Sequence, residues 1–379
     1  MIYLDYAATT PLHDEVYKGY VDLLHRYFYN ADSLYDKGVE VNYLMEKSRS
    51  LIADMLHVKT NELIFTGSGS EANVMAIKGL AFQYRGRGNH IITTTIEHSS
   101  VYETCRQLED VFGFKVTYLP VDSQGNISLE QLENSITRDT ILVSIMAVNN
   151  EIGVINPVSK IKEIVQKYDK VHLHVDMVQA LGKIDVDLTG LDCATFSAHK
   201  IYGLKGSGLL YKKENTQIVA TVTGGQQEYG LRAGTANACT NIIFAKTLRL
   251  ALSSLSTNYI KVSQINQYLR SQLATIKDIV FISDERYCLP YILNFACVGY
   301  PPEVILHALE AYEIYISTRS ACSSKSAKLS RSIAALHLDD RIAASAVRVS
   351  LSALTTQQNI DIFIKVLQEI LHTIKKQDG

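Results

Sequence analysis

Short apolar segments alternate with longer amphipathic ones over the first two thirds of the chain. Five short segments are predicted to be buried strands: residues 62–65, 91–94, 116–119, 140–145 and 171–175. Helical periodicity lies between them, most clearly where Val41, Met45, Ile52 and Leu56 recur on one face. Such alternation predicts a mostly parallel sheet covered by helices on both faces, with ligands beyond the carboxyl ends of its strands.

The pattern changes after Asn237. Two long helical stretches are predicted at residues 237–254 and 259–277. Short strands interleaved with helices are predicted at residues 291–295, 315–317 and 347–350, with a closing helix from about Thr356. We therefore expect a large domain over residues 12–255 and a smaller α+β domain formed by residues 1–11 and 256–379. The boundary is expected within a helix near residue 255.

Composition narrows the class of protein. With 379 residues, 47% of them hydrophobic, the chain is long enough for two packed domains. A net charge of -2 argues against a nucleic-acid surface and a polybasic membrane anchor. No apolar stretch approaches about 20 residues and the amino terminus lacks a signal-peptide pattern, so we expect a cytoplasmic protein. The six cysteines form no Cys-x-x-Cys pair, which argues against disulfides and a metal site.

The segment Ser-Ala-His-Lys at residues 197–200 gives the first indication of chemistry. Lys200 follows small residues and can form a Schiff base with an aldehyde. Asp176 closes a predicted strand and can keep a proton on a heterocyclic nitrogen. An anchoring amine and such a carboxylate are what pyridoxal phosphate chemistry requires.

A glycine-rich turn follows the first predicted strand of the sheet and opens a helix. Free N–H groups and the positive end of the helix dipole favour an anion there, so Gly69 and Ser70 are candidates for holding a phosphate. The alternative is an ordinary strand-to-helix turn in which Ser70 is the helix cap.

Polar residues at other strand ends extend the candidate site. His98 can stack on a cofactor ring and exchange protons near neutral pH, or be a structural histidine. Asn150 can donate to an oxygen ligand, or mark a turn. Gln179, three residues after Asp176, can donate to a ring oxygen. Arg348 lies between core residues and is expected to pair with a carboxylate of the protein or of a substrate.

Two polar segments lie outside the strand ends. Cys322 stands among small polar residues and is followed by Lys325 and Lys328, an electropositive and exposed setting that favours the thiolate. Residues 224–235 form a polar stretch without a helical face. Such a loop can act as a lid, reach into a neighbouring subunit, or be plain surface.

Taken together, these residues make the chain resemble the cysteine desulfurases of the class V aminotransferase group, on the type I pyridoxal phosphate fold. The resemblance covers nearly the whole length and is carried by residues 3–11, 91–93, 144–153, 174–176 and 197–203. It implies an α/β fold with a seven-stranded, mostly parallel sheet in the large domain and a smaller carboxyl-terminal α+β domain. It also implies a homodimer that converts L-cysteine to L-alanine.

The resemblance assigns roles to individual residues. Lys200 would carry the cofactor and act at the substrate, Asp176 would pair with the pyridine nitrogen, His98 would stack on the ring and Gln179 would bond the phenolic oxygen. The phosphate would be held by Ser70, Ser197 and His199, completed by Thr235 of the second subunit. Asn150 and Arg348 would bind the substrate carboxylate. Cys322 would accept the sulfur as a persulfide and pass it to an acceptor protein, an iron–sulfur scaffold or a tRNA thiolation enzyme.

The chain departs from the family pattern at three places. Residues 67–71 read Gly-Ser-Gly-Ser-Glu where Ser-Gly-Ala-Thr-Glu is usual, which keeps a hydroxyl at Ser70. Val74 replaces the usual asparagine, and Arg319 replaces a glycine three residues before Cys322. Two other functions stay open. One is a related pyridoxal phosphate enzyme, either a transaminase or a selenocysteine or kynurenine lyase; the other is an inactive scaffold that docks sulfur-handling partners.

Overall fold

A seven-stranded sheet forms the centre of the protein, in a computed structural model that describes residues 1–318 and 329–374. The described residues form twelve strands, of which β2 to β8 make up this sheet. They are β1 (Ile2–Tyr3), β2 (Leu63–Thr66), β3 (His90–Thr94), β4 (Lys115–Leu119), β5 (Thr140–Met146), β6 (His172–Asp176), β7 (Cys193–Ser197), β8 (Gly208–Lys212), β9 (Ile279–Phe281), β10 (Ile292–Cys297), β11 (Ile314–Tyr315) and β12 (Ala346–Ser350). The helices are α1 (Asp14–Arg26), α2 (Asp36–Leu56), α3 (Gly69–Tyr84), α4 (Ser99–Asp110), α5 (Leu129–Ser135), α6 (Val158–Val165), α7 (Ala238–Ser253), α8 (Leu255–Leu273), α9 (Pro302–Glu310), α10 (Arg331–Ala334), α11 (Asp340–Ala344) and α12 (Gln357–Thr373).

The strand order of the central sheet is β2-β8-β7-β6-β5-β3-β4. Only β8 runs antiparallel to its neighbours, and the pairs from β7 to β4 are all parallel. Apolar side chains are buried on both faces of the sheet, one group under α3 and α4 and a larger one on the opposite face. The predicted α/β fold with a seven-stranded, mostly parallel sheet is confirmed.

The apolar pattern located five of these seven strands to within two residues. It missed β7, with the sequence Cys-Ala-Thr-Phe-Ser, because this strand mixes small and polar residues. It missed β8 because the apolar run there, Leu209 to Tyr211, is only three residues long.

The carboxyl-terminal region has its own antiparallel sheet, ordered β12-β10-β9. The amino terminus joins this region because β1 pairs in parallel with β11. α7 ends at Ser253 and α8 begins at Leu255, so two helices meet here, as the two predicted helical stretches indicate, and residue 255 is the first residue of the second helix. The division into two domains stays a prediction. No helix in the described part of the chain is long and apolar enough to cross a membrane.

Candidate active site

A cavity of about 290 Å³ opens where the carboxyl ends of β2, β3, β5, β6 and β7 meet. Ten of the twelve predicted site residues line it: Gly69, Ser70, His98, Asn150, Asp176, Gln179, Ser197, His199, Lys200 and Arg348. Thr235 is exposed and does not line the cavity of this chain. Cys322, like Arg319, lies outside the described residues.

Lys200 follows β7 through one tight turn and reaches into the cavity. Its Nζ donates to the carbonyl oxygens of Ala7 at 2.6 Å and Ala8 at 2.7 Å. The backbone N–H of Thr10 donates to the His199 carbonyl at 3.0 Å. The amino-terminal segment is therefore held against the turn that carries Lys200. This contact explains why the resemblance described above includes residues 3–11.

Asp176 ends β6, is 5% exposed and has a fixed orientation. Its Oδ1 accepts from the Val178 backbone N–H at 3.0 Å, and its Oδ2 accepts from Asn73 Nδ2 at 2.7 Å. Hydrogen bonds to both oxygens stabilise the buried anion. The sequence analysis gave Asn73 no role. A signal was present, since Asn73 lies one helical turn after Gly69 and Ser70 in α3 and therefore on the same face.

His98 caps α4 and is joined to Asp176 by a chain of hydrogen bonds. His98 Nδ1 accepts from the Ser100 N–H at 3.2 Å and lies 2.8 Å from Ser100 Oγ, which in turn accepts from Asn73 Nδ2 at 2.9 Å. Because a backbone N–H can only donate, the proton of the neutral ring is on Nε2. Burial lowers the pKa of His98 despite the opposing charge of Asp176, so the ring is a neutral base.

The phosphate end of the cavity is built on the start of α3. Ser68 rather than Ser70 is the helix cap, since its Oγ accepts from the Glu71 N–H at 3.1 Å, and this leaves Ser70 on the cavity wall. A Cβ at Gly69 would lie 3.0 Å from Val178 Cγ2 and 3.2 Å from Ser197 Cβ, so a larger residue would crowd the turn. The 16-residue helix directs its positive end at this wall.

Arg348 and His199 at the site are both held by hydrogen bonds within the chain. Arg348 on β12 is 3% exposed and donates to Asp5 Oδ1 at 2.7 Å and to the Asn150 carbonyl at 2.8 Å. The expected carboxylate partner of Arg348 thus exists within the protein. His199 Nδ1 lies 3.1 Å from Thr9 Oγ1, and burial together with Lys200 lowers the pKa of His199 to about 4.

The polar loop of residues 224–235 is fixed to α2 and to the start of α3. Arg49, 2% exposed, binds both carboxylate oxygens of Glu228 at 2.6 and 2.8 Å. Glu228 and Tyr229 have φ of 48° and 60°, in the left-handed region, so this anchor holds a strained turn. Arg232 Nε donates to Glu71 Oε1 at 2.8 Å. The sequence did not single out Arg49, because it lies on a helix of otherwise ordinary periodicity.

Glu97 is a buried acid beside His98. Its Oε1 accepts from Thr94 Oγ1 at 2.8 Å and from the Met146 N–H at 3.0 Å, whereas its Oε2 has no hydrogen-bond partner among the described residues. Burial raises the pKa of Glu97 from 4.5 to about 8, against the effect of those two donors. The folded protein therefore holds this carboxyl in its neutral form at pH 7.

Glu97→Gln should abolish a pH-dependent loss of stability. A raised folded-state pKa contributes stability that is complete below pH 4.5 and is lost as pH rises through about 8. Across that window the wild type should lose up to about 1.4 kcal/mol per pH unit relative to the variant. Melting temperatures of both proteins at pH 5 and pH 8 check this. An equal difference at the two pH values would show that Glu97 is ionised in the folded protein.

Comparison with known proteins places this arrangement in a family. The model of the family described as aminotransferase class-V matches residues 2–363. The chain is 41% identical to a NifS/IcsS protein homolog of Lactobacillus delbrueckii subsp. bulgaricus (99% of this chain, 98% of the other) and 38% identical to a cysteine desulfurase IscS of Dictyoglomus turgidum (99% and 95%). A solved NifS-like protein superposes with a TM-score of 0.93 at 36% identity, covering 98% of this chain and 100% of that one. An amine and a carboxylate on one cavity wall, and this likeness over the full length, lead to the same conclusion: the chain belongs to the pyridoxal phosphate-dependent class V aminotransferase family, in its cysteine desulfurase branch.

Proposed function

We propose that the protein is a cysteine desulfurase that converts L-cysteine to L-alanine and passes the sulfur, through a persulfide on Cys322, to an acceptor protein. The observation that carries this proposal is the placement of Asp176, which ends β6, and Lys200, which follows the neighbouring strand β7 by one turn, on the lining of one cavity. A relative 38% identical over 99% of this chain is named a cysteine desulfurase, which supports L-cysteine as the substrate.

The residues present fit pyridoxal phosphate. The start of α3, with Ser70, Ser197 and His199, would hold the phosphate, and Asp176 would hold the proton on the ring nitrogen. Asn73 Oδ1 is buried without a partner among the described residues, so a polar group can still be received on this wall. Bound pyridoxal phosphate supplies an aldehyde that combines with amino groups and a ring that accepts electrons from the adjacent carbon.

The chain's own groups would bind the substrate and move its protons. Arg348 and Asn150 would hold the substrate carboxylate beside the cavity they line. The Lys200 amine would remove and return the proton at the substrate Cα. His98, neutral and held by Ser100 through Nδ1, would stack over the ring, and its Nε2 proton would be available to a group bound in the cavity.

The sulfur step would use Cys322 as nucleophile. Its thiolate would attack the substrate sulfur, forming an S–S bond while the Cβ–S bond breaks and the carbon fragment takes the electron pair. That fragment would then be protonated and leave as alanine, so one cysteine gives one alanine and one persulfide. Burial raises the pKa of each of the five cysteines that the structure describes, which suits none of them to this role: Cys105, Cys193, Cys239, Cys288 and Cys297.

The reaction is tested by incubating the purified protein with L-cysteine alone and measuring alanine and sulfide with a reductant present. A desulfurase forms alanine without any keto acid. Alanine formation that requires a keto acid would instead indicate a transaminase. A protein that stays colourless when pyridoxal phosphate is added would favour the scaffold.

A homodimer would complete the site, and one exposed surface suits it. Tyr35, at the amino-terminal cap of α2, and Val39 and Tyr43 on α2 recur at four-residue spacing and are 52–63% exposed. The neighbouring Leu34 is 97% exposed. Tyr229, on the loop that leads to Thr235, is 51% exposed, and its ring packs on Arg49 of α2. A second copy seated on this apolar surface would receive that loop, as the assignment of Thr235 to a neighbouring phosphate site requires.

Val39→Glu combined with Tyr43→Glu should make the protein monomeric. Two charges at the centre of an apolar interface would be buried without partners, which costs several kcal/mol. Light scattering should show half the wild-type mass, with faster loss of cofactor on dilution because Thr235 no longer reaches the other site. Ile260→Glu, at a 60% exposed position on α8, is the matched control and should stay dimeric. A dimeric double variant would refute this interface.

The sulfur acceptor would be a protein that docks near Cys322, either an iron–sulfur scaffold or a tRNA thiolation enzyme. The IscS and NifS names of the relatives support a sulfur-supplying role. Pull-down with each acceptor class, followed by transfer of labelled sulfur, would separate the two.

A further inference from the structure

A second lysine lies behind the cofactor cavity, and the mechanism above does not use it. Lys183 is 7% exposed and lines a larger cavity of about 630 Å³ on the far side of Gln179 and Lys200. It does not line the cofactor cavity itself, whereas Gln179 and Lys200 line both. A buried amine is costly unless it is hydrogen-bonded, so the side chain that accepts from Lys183 within the described part of the chain matters.

That partner is Gln179. Lys183 Nζ donates to Gln179 Oε1 at 2.6 Å, and Gln179 Nε2 donates to the Ala7 carbonyl at 3.0 Å. The same Ala7 carbonyl accepts from Lys200 Nζ at 2.6 Å. Lys183, Gln179, Ala7 and Lys200 therefore form one continuous set of hydrogen bonds across the wall between the two cavities.

The turn at Gly182 sets the position of Lys183. Gly182 has φ of +70°, and a Cβ on it would lie 2.9 Å from Ile201 Cγ2 and 3.1 Å from Ala251 Cβ. The turn that carries Lys183 thus packs directly on the residue that follows Lys200. Burial, followed by the charge of Lys200, lowers the pKa of Lys183 to about 7.

A carboxamide can be inserted in two orientations, and only one suits the proposed site. In the flipped orientation Gln179 Oε1 would face the Ala7 carbonyl, two acceptors against each other, and Lys183 would lose its acceptor. In the observed orientation Nε2 donates one N–H to the Ala7 carbonyl and has a second N–H to offer, and because Gln179 lines the cofactor cavity that second N–H would serve a ring oxygen.

We propose that Lys183 is a positioning residue that fixes the Gln179 carboxamide with its N–H groups toward the cofactor. This inference rests on the proposed function and deepens it, because it names what orients the donor to the ring oxygen. Lys183 itself would not touch the cofactor or the substrate.

Lys183→Met tests the proposal with the intact holoenzyme. The visible absorption and circular dichroism bands of the bound cofactor should shift at fixed pH, because the ring oxygen loses its oriented donor. The kcat should fall about tenfold with KM little changed, as expected for one hydrogen bond to a charged group. Gln179→Leu should give the same spectral shift, and Lys183→Met added to Gln179→Leu should change the bands no further.

Lys205→Met is the charge control, since Lys205 is exposed yet acts electrostatically on His199 beside Lys200. Lys205→Met should leave the cofactor bands unchanged.

The double variant Lys183→Met/Gln179→Leu replaces both hydrogen-bond partners by apolar groups, so it should fold even where Lys183→Met alone is destabilised. Unshifted bands in Lys183→Met, with only a lower melting temperature, would overturn the proposal. A wild type that binds no cofactor would instead overturn the proposed function.

Discussion

Lys200→Ala should abolish both the visible absorbance and the turnover of the protein. The lysine amine is the group that would attach the cofactor and also the base at the substrate Cα. Losing general acid–base catalysis alone costs up to about 10⁴-fold, and the loss of attachment adds to this. The Nζ is held by the Ala7 and Ala8 carbonyls, and no other lysine lines the cofactor cavity among the described residues.

Absorption spectra and alanine assays on wild type and Lys200→Ala check this prediction. Lys205→Ala is the matched control, because Lys205 lies on the same turn region but is exposed. It should retain colour and activity. A coloured Lys200→Ala variant with turnover within tenfold of the wild type would show that another amine carries the cofactor.

Cys322→Ser should bind cofactor and L-cysteine normally yet transfer no sulfur. A serine hydroxyl at neutral pH is a far weaker nucleophile than a thiolate, so the S–S bond would not form. The spectrum of the holoenzyme should match the wild type and should still change when L-cysteine is added. Sulfide release and persulfide labelling should fall to background, a larger effect than any single contact in the cofactor cavity would produce.

Cys239→Ser serves as the control for Cys322→Ser. Cys239 is buried on α7, its Sγ lies 3.6 Å from the Tyr27 carbonyl and burial raises its pKa. This variant should keep persulfide formation. Wild-type sulfide release by Cys322→Ser would refute the nucleophile assignment, and loss of persulfide in Cys239→Ser alone would transfer the role to that residue.

The sequence was most informative about strands that form short apolar segments and are buried in the sheet. The five strands located from the sequence are short segments rich in apolar and β-branched residues, and the polar residues that follow them meet in space because parallel strands end at one edge. The strands β7 and β8 were missed because β7 mixes small and polar residues and β8 has an apolar run of only three residues. Lys200 could still be picked out, since its chemistry does not depend on assigning β7.

Residues that hold other residues in position could not be identified from the sequence. Asn73, Arg49 and Lys183 each make their decisive contact with a group distant in sequence or hidden by a turn. A lysine after a glycine in a turn and an arginine on a helix are ordinary surface patterns. Only the packing that buries them shows that each has a specific partner.

The most direct test is to reduce the holoenzyme with borohydride, digest it and locate the cofactor by peptide mass spectrometry. The account predicts that the cofactor mass is carried by the peptide containing Lys200, in wild type and in Asp176→Asn alike. Attachment to Lys183 or another lysine, or no attachment at all in a protein saturated with pyridoxal phosphate, would contradict it.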